Sequence, residues 1–181
     1  MKLLVLYGTT EGQTRKIAHF IETEAELQGW KATVYNLTEE TVILAGYDAV
    51  MVASSIHMGK YQAAVADYAI KNASALNKLP SAFVSVSLTA AGNDEDSWKE
   101  LHELTDHFLK HCGWIPTETT QVAGALKYTQ YDWFKKQLLR MIAKSSGGSV
   151  DTSIDHEYTN WEEVKTFVKG FLPLLPNKAS S

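Results

Sequence analysis

The stretch that decides the fold runs from residue 3 to residue 14 and reads Leu3-Leu4-Val5-Leu6-Tyr7-Gly8-Thr9-Thr10-Glu11-Gly12-Gln13-Thr14. Its first five residues are apolar and predict a buried strand, and a helical pattern begins directly after the threonine-rich turn. The first turn of a helix offers unpaired N–H groups and the positive end of the helix dipole. A strand, a hydroxyl-rich turn and a helix N-terminus in this order therefore predict a phosphate site.

The same turn lacks two well-known nucleotide signatures. It contains no Gly-Lys-Ser/Thr, which argues against a nucleoside-triphosphate P-loop, and no Gly-x-Gly-x-x-Gly, which argues against a dinucleotide site. A lone terminal phosphate fits best, and flavin mononucleotide (FMN) carries such a group. The alternative is an ordinary β–α turn with polar caps, which many α/β proteins have.

Composition narrows the class of protein. The chain has 181 residues with 45% hydrophobic residues, which suits one globular domain, and its net charge of −4 argues against nucleic acid as a partner. Cys112 is the single cysteine, so it forms no internal disulfide, and it is either a redox thiol or a half-buried residue without a role.

The apolar N-terminal run ends at Tyr7, too early for a signal peptide. We expect a cytosolic protein, or one attached to a membrane surface from the cytosolic side.

Apolar and polar stretches then alternate along the chain as in a series of β-α-β units. We predict strands at 2–7, 32–36, 48–54, 82–88 and 119–126 and helices at 13–28, 61–76, 96–112 and 160–172, the last capped by Thr159 or Asn160. This pattern predicts a doubly wound, five-stranded parallel sheet in the order 2-1-3-4-5, with helices on both faces. We expect residues 1–176 to form a single domain and residues 177–181 a disordered tail.

In such a sheet, ligands bind beyond the carboxyl ends of the strands at the switch point, which three loops surround here. We predict that these loops hold the cofactor through Thr9, Thr10, Glu11, Gly12, Gln13, Thr14, Ser54, Ser55, Ile56, His57, Met58, Gly59, Ser87, Leu88, Thr89 and Ala90. His57 and Met58 are candidates to approach the reactive edge of a flavin, although His57 is equally readable as an exposed loop residue. The acids of residues 94–96 favour a helix cap over a metal site, and no residue cluster has metal-ligand spacing.

Residues 127–148 are inserted between the fifth strand and the last helix. Five basic residues and one acid give this segment a charge of +4 within a chain of −4. We predict a basic amphipathic helix that contacts substrate or an anionic membrane through Lys127, Tyr128, Tyr131, Trp133, Lys135, Lys136, Arg140 and Lys144. The alternative is a helix packed on the core with solvated lysines.

The phosphate loop and the five-strand layout resemble the flavodoxin superfamily. Later motifs are more specific, and they resemble the family of quinone-dependent protoporphyrinogen IX dehydrogenases of bacterial heme synthesis. These motifs are Ser55-Ile56-His57-Met58-Gly59-Lys60-Tyr61, Pro80-Ser81-Ala82-Phe83-Val84-Ser85-Val86, Ala123-Gly124-Ala125-Leu126-Lys127-Tyr128, Ser146-Gly147-Gly148 with Asp151-Thr152, and Tyr158-Thr159-Asn160-Trp161. The resemblance covers nearly the whole chain, including the insert.

The resemblance implies an FMN enzyme that takes six electrons, two at a time, from protoporphyrinogen IX and passes them to menaquinone or ubiquinone. It implies a peripheral protein on the cytoplasmic side of the bacterial inner membrane, and it names no side chain as catalytic acid or base. One departure is the acidic third loop, with Asp94, Glu95 and Asp96, which weakens any role for this loop in binding propionates. The competing functions are a flavodoxin-type electron carrier, a nicotinamide-driven quinone reductase and a flavin-binding regulator.

Overall fold

The computed structural model describes residues 1–9, 12–126 and 156–172. In chain order its elements are β1 (Lys2–Gly8), α1 (Gln13–Leu27), β2 (Lys31–Asn36), β3 (Ala49–His57), β4 (Lys60–Tyr61), α2 (Ala63–Leu76), β5 (Ser81–Ser87), α3 (Glu95–Cys112), β6 (Glu118–Ala123), β7 (Ala125–Leu126), β8 (His156–Glu157) and α4 (Trp161–Phe171). A 3-10 turn at Thr89–Ala91 joins β5 to α3.

Five long strands form a parallel sheet in the order β2-β1-β3-β5-β6. Counted among these five strands, this is the predicted order 2-1-3-4-5. In the register of the sheet, Val5 of β1 lies between Val34 of β2 and Met51 of β3. The chain leaves β1 toward one edge and returns to pair β3 on its other side, so the switch point lies between the carboxyl ends of β1 and β3.

The core has two layers, one on each face of the sheet. Alternate residues of β1 point to opposite faces, so Leu3 and Val5 pack with α1 and α4, whereas Leu4 and Leu6 pack with α2 and α3. Helices cover both faces, which explains why this strand is a continuous apolar run rather than an alternating one.

Three short strands depart from the predicted layout. Tyr61, expected to open a helix, lies in β4, which pairs antiparallel with the end of β3. The expected strand 119–126 is divided, because β6 ends at Ala123 and β7 pairs antiparallel with β8. Of the two candidate caps for the last helix, Asn160 is the N-cap, and its side chain accepts a hydrogen bond from the Glu163 N–H.

Candidate functional site

An open cleft lies at the carboxyl ends of β1, β3, β5 and β6. The space inside it, counted together with the open solvent at its mouth, is about 600 Å³. The residues that line it are Thr9, Gln13, Thr14, Ser55, Ile56, His57, Met58, Gly59, Val86, Ser87, Leu88, Thr89, Gly124 and Ala125. The three loops that were expected to share a site therefore do so.

The start of α1 differs from the starts of α3 and α4. Asp94 and Asn160 cap α3 and α4 with their side chains, and both helices carry two acids in the first turn. The N-cap of α1 is Gly12, which has a φ of 89° and no side-chain capping bond, and the first turn of α1 contains no acid. Among the described residues, no side chain caps the start of α1, so its N–H groups and positive dipole end can face an anion.

Thr14 lies one residue inside α1 and lines the cleft. Its side chain is fully buried, and its Oγ1 has no hydrogen-bond partner among the described residues. A buried hydroxyl without a partner costs about 1–3 kcal/mol, so it normally has one in the functional state. A phosphate oxygen at the start of α1 fits this need.

Three contacts fasten α1 to the segment that begins at β8. The Gln13 amide donates a hydrogen bond to Thr159 Oγ1 at 2.8 Å, and Lys16 Nζ donates to Glu157 Oε2 at 2.9 Å. The hydrogen bond from Lys16 holds the pKa of Glu157 below its ordinary value. Phe20 packs against Trp161 with their ring centroids 4.9 Å apart. The first two turns of α1 are therefore anchored from the C-terminal side of the chain.

The second loop is a tight hairpin. His57 of β3 pairs with Lys60 of β4, which leaves Met58 and Gly59 as a two-residue connection. Both have positive φ, 50° for Met58 and 74° for Gly59, which is the pattern of a type I′ turn. Glycine adopts this backbone at no cost, whereas methionine at Met58 is strained, and the Met58 side chain is 67% exposed at the cleft mouth.

The third loop is held by its own hydrogen bonds. Ser87 Oγ accepts from the Ala90 N–H at 3.2 Å, which shapes the 3-10 turn beside the cleft. Asp94 accepts from both the N–H and the hydroxyl of Ser97, so its role as a helix cap is confirmed. No group of residues in the described part of the chain has the geometry of a metal site.

The cleft does not include every residue that the sequence indicated. Gly12 and Ala90 lie next to it rather than in its wall. Ser54 is fully buried, and its hydroxyl accepts from the Gln62 N–H. Thr10 and Glu11 lie outside the described residues, as do the insert residues proposed for substrate or membrane contact and the tail.

Gly124 and Ala125 line the cleft and were missed. The expected strand 119–126 ran through them, although a glycine inside a strand pattern often marks a break or a close approach. Here the break separates β6 from β7, and an added Cβ on Gly124 would lie 3.4 Å from Val86 Cγ1. Gly124, a glycine within the expected strand, was the feature of the sequence from which this break could have been predicted.

The described lining of the cleft contains no Phe, Tyr or Trp ring, and His57 supplies its one imidazole. The nearest aromatic residue of the third loop, Trp98, instead turns its indole N–H to the Gly92 carbonyl at 2.6 Å. The walls are formed by small polar residues, backbone, a few aliphatic side chains, Met58 and the imidazole of His57.

Comparisons with known proteins agree with this geometry. The family model of the flavodoxin domain matches residues 4–153. Among solved structures, the oxidised flavodoxin 1 of Bacillus cereus superposes with a TM-score of 0.59 at 14% identity, covering 97% of this chain and all of that one. A short-chain flavodoxin associated with a bacterial microcompartment gives 0.61 at 14% identity over 96% of this chain and 98% of that one. The fold is that of flavodoxins, and FMN is the cofactor of the domain.

Curated relatives match more closely in sequence. The Escherichia coli K12 protein named protoporphyrinogen IX dehydrogenase [quinone] is 36% identical over 170 residues, which is 93% of each chain. A protein of the same name from Leishmania major is 34% identical over 175 residues, covering 96% of this chain and 75% of that one. The chain thus belongs to the flavodoxin family and, within it, to the quinone-dependent protoporphyrinogen IX dehydrogenases.

Proposed function

We propose that this protein oxidises protoporphyrinogen IX to protoporphyrin IX with FMN as cofactor and menaquinone or ubiquinone as electron acceptor. Six electrons and six protons leave the substrate in three two-electron steps, and each step reduces one quinone to its quinol. The relatives from E. coli and L. major carry the name of this activity. The structural observation that carries the proposal is the cleft whose described lining has no Phe, Tyr or Trp ring.

FMN supplies two-electron redox chemistry when it is bound, and the chain supplies its position. We propose that the start of α1 and the buried hydroxyl of Thr14 bind the phosphate. The predicted loop residues that line the cleft, those of 55–59 and 87–89, would hold the ring, with Gly124 and Ala125 added to them. The protein orients the cofactor and hydrogen-bonds it through these loops, and we assign no side chain as a catalytic acid or base.

The accessible cleft favours an enzyme over an electron carrier. A carrier needs only to expose the flavin edge to a protein partner, and carriers of this fold usually stack aromatic rings on the flavin. A bulky tetrapyrrole must instead approach the ring closely enough for hydride transfer. The small cleft walls and the exposed Met58 side chain at the mouth leave room for it and offer apolar contact.

Anaerobic turnover tests this proposal. The FMN-loaded full chain is mixed with protoporphyrinogen IX, with and without a menaquinone analogue, and porphyrin fluorescence is followed. We expect quinone-dependent porphyrin formation, with three quinones consumed per porphyrin. No porphyrin from a protein whose bound FMN reduces and reoxidises normally would support the electron carrier, and quinone reduction that requires a nicotinamide cofactor would support the quinone reductase.

We also propose that residues 127–148 bring the protein to an anionic membrane surface, where quinone is dissolved. The support is the charge of +4 on a segment with aromatic and apolar residues. The segment follows β7 directly in the chain, and Ala125 of β7 lines the cleft. None of the described helices combines the length and apolar character needed to cross a membrane.

Vesicle sedimentation tests this contact. The triple variant Lys136→Gln, Arg140→Gln, Lys144→Gln is compared with a matched triple variant of exposed lysines elsewhere, Lys71→Gln, Lys99→Gln, Lys169→Gln. We expect the wild-type protein and the matched variant to bind anionic vesicles at low salt, and the first variant to bind much less. Equal binding of both variants, or equal binding to neutral vesicles, would show that the insert is not the contact.

A further inference from the structure

A buried polar network lies under the second loop of the cleft. The Tyr61 hydroxyl is 2.8 Å from Ser85 Oγ of β5 and 2.8 Å from Thr105 Oγ1 of α3. Thr105 Oγ1 also donates to the Leu101 carbonyl and accepts from the Gln121 amide, each at 2.8 Å. A network of this kind in an apolar layer fixes the relative positions of the elements that supply it.

The ring of Tyr61 is fixed as firmly as its hydroxyl. It packs edge-on against Phe83 at 5.2 Å and tilted against Phe108 at 4.5 Å, and the side chain is only 8% exposed. Burial raises the pKa of Tyr61, so the phenol keeps its proton and remains a neutral hydrogen-bonding group. Tyr61 is therefore an anchor with one permitted position.

This anchor is only two residues from the strained turn at the cleft. Tyr61 pairs with Ile56, and together with the His57–Lys60 pair this makes the whole of the β3–β4 ladder. A ladder of two pairs is not stable by itself, and the positive φ of Met58 adds a cost that the surroundings must offset. Tyr61 is the residue of β4 that enters the core, so it connects the turn to the rest of the molecule.

We infer that Tyr61 is a positioning residue whose hydrogen bonds to Ser85 and Thr105 hold the Met58–Gly59 turn in the cleft and so set the relative affinity for oxidised and reduced FMN. Neither Tyr61 nor its two partners line the cleft, so their effect on the cofactor is indirect. On reduction, N5 of a flavin changes from a hydrogen-bond acceptor to a donor. A turn whose backbone is held in one orientation can therefore hydrogen-bond one redox form of FMN better than the other. A turn that can rotate can adapt to both forms, so the two affinities would differ less. The inference rests on FMN occupying the cleft and not on the identity of the substrate.

Two buried tyrosines of the same core layer provide a matched test. Tyr61→Phe removes the anchoring hydroxyl, whereas Tyr68→Phe removes a hydroxyl that is equally buried and has no hydrogen-bond partner among the described residues. The dissociation constants for oxidised and reduced FMN are measured anaerobically for each protein, together with the midpoint potential. We expect Tyr61→Phe to change the ratio of the two constants by about threefold to tenfold, where tenfold equals about 30 mV for two electrons. Tyr68→Phe should keep the wild-type ratio.

A second pair of variants tests the same network from α3 and decides the matter if Tyr61→Phe does not fold. Thr105→Val removes the hydroxyl at nearly constant shape, and Thr105→Ser retains it. We expect Thr105→Val to change the ratio of the two dissociation constants in the same direction as Tyr61→Phe. Thr105→Ser should keep the wild-type ratio. An unchanged ratio in folded Tyr61→Phe or Thr105→Val, or an equal change in Tyr68→Phe, overturns the inference. If the wild-type protein binds FMN but forms no porphyrin, the proposed function is refuted and the inference about Tyr61 is not.

Discussion

The side chains of Gln13 and Thr159, 146 residues apart in the chain, meet at the rim of the cleft. The Gln13 amide donates to Thr159 Oγ1 at 2.8 Å, and Thr159 Oγ1 in turn donates to the Ala123 carbonyl at 2.7 Å. This short chain of bonds joins the first residue of α1, the end of β6 and the segment before α4. The position of the start of α1, which we propose binds the phosphate, therefore depends on a residue that does not line the cleft.

Replacement of Thr159 by valine should loosen the start of α1. Thr159→Val removes the hydroxyl that accepts from the Gln13 amide and donates to the Ala123 carbonyl, which we expect to lower the free energy of unfolding by about 1–3 kcal/mol. FMN affinity should fall as well, since Gln13 lines the cleft. Urea denaturation and FMN titration measure the two effects. Thr159→Ser keeps the hydroxyl and serves as the control, and valine and serine variants that behave alike would contradict the prediction.

Removal of the Thr14 hydroxyl should weaken FMN binding without lowering the stability of the FMN-free protein. Its Oγ1 is buried without a partner among the described residues, so Thr14→Val should leave the FMN-free protein as stable as the wild type or slightly more stable. FMN affinity should fall by about tenfold to a hundredfold, because a hydrogen bond to a charged phosphate contributes about 1.5–3 kcal/mol. Riboflavin, which has no phosphate, should bind both proteins equally.

Thr14→Ser is the control for this experiment, because it retains the hydroxyl and loses only a methyl group. We expect it to bind FMN nearly as well as the wild type. If Thr14→Val weakened riboflavin and FMN to the same extent, the hydroxyl would act on the shape of the cleft and not on the phosphate.

The layout of the sheet was predictable because it depends on local patterns. The apolar run of β1 indicates a buried parallel strand and the pattern after the turn indicates a helix, and both are present. The phosphate site at the start of this helix stays a prediction. The pairing of Tyr61 was not predictable, because a strand of two residues has no periodicity to detect. The contact of Gln13 with Thr159 could not be predicted either, since polar pairs distant in sequence leave no spacing pattern. The cleft residues were thus found by loop position, whereas their supports required the structure.

Gly8 allows α2 to approach the end of β1. A Cβ on Gly8 would lie 2.6 Å from Val65 Cγ2 and 3.1 Å from Gln62 Cβ, distances that force a shift of the helix. We expect Gly8→Ala to lower the free energy of unfolding by about 1–3 kcal/mol, as overpacking of a core does. Thermal or urea unfolding provides the measurement.

The partner of this clash can be removed separately. Val65→Ala deletes the methyl group that the new Cβ would meet, at the cost of a cavity. The double variant Gly8→Ala, Val65→Ala should be more stable than the sum of the two single effects predicts, by about 0.5–3 kcal/mol. Strictly additive effects would mean that the clash with Val65 is not the reason for glycine at this position.

The ion pair between Lys16 and Glu157 should contribute stability that depends on pH. Glu157 accepts hydrogen bonds from Lys16 Nζ and from the Trp161 indole N–H, both at 2.9 Å, and the bond from Lys16 is the main reason that the Glu157 pKa lies below 4.5 in the folded protein. A carboxyl group whose pKa is lower in the folded than in the unfolded state stabilises the fold above the unfolded pKa. It loses this contribution as the pH falls through the folded pKa.

The wild type should therefore exceed Glu157→Gln in stability at pH 7 by less than about 1 kcal/mol, because the pair is partly exposed. The difference should disappear when denaturation is repeated at a pH well below 4.5. Glu118→Gln, an exposed carboxylate on β6 with no ion pair among the described residues, is the control. A difference between the wild type and Glu157→Gln that stayed constant with pH would exclude ionisation of Glu157 as its cause.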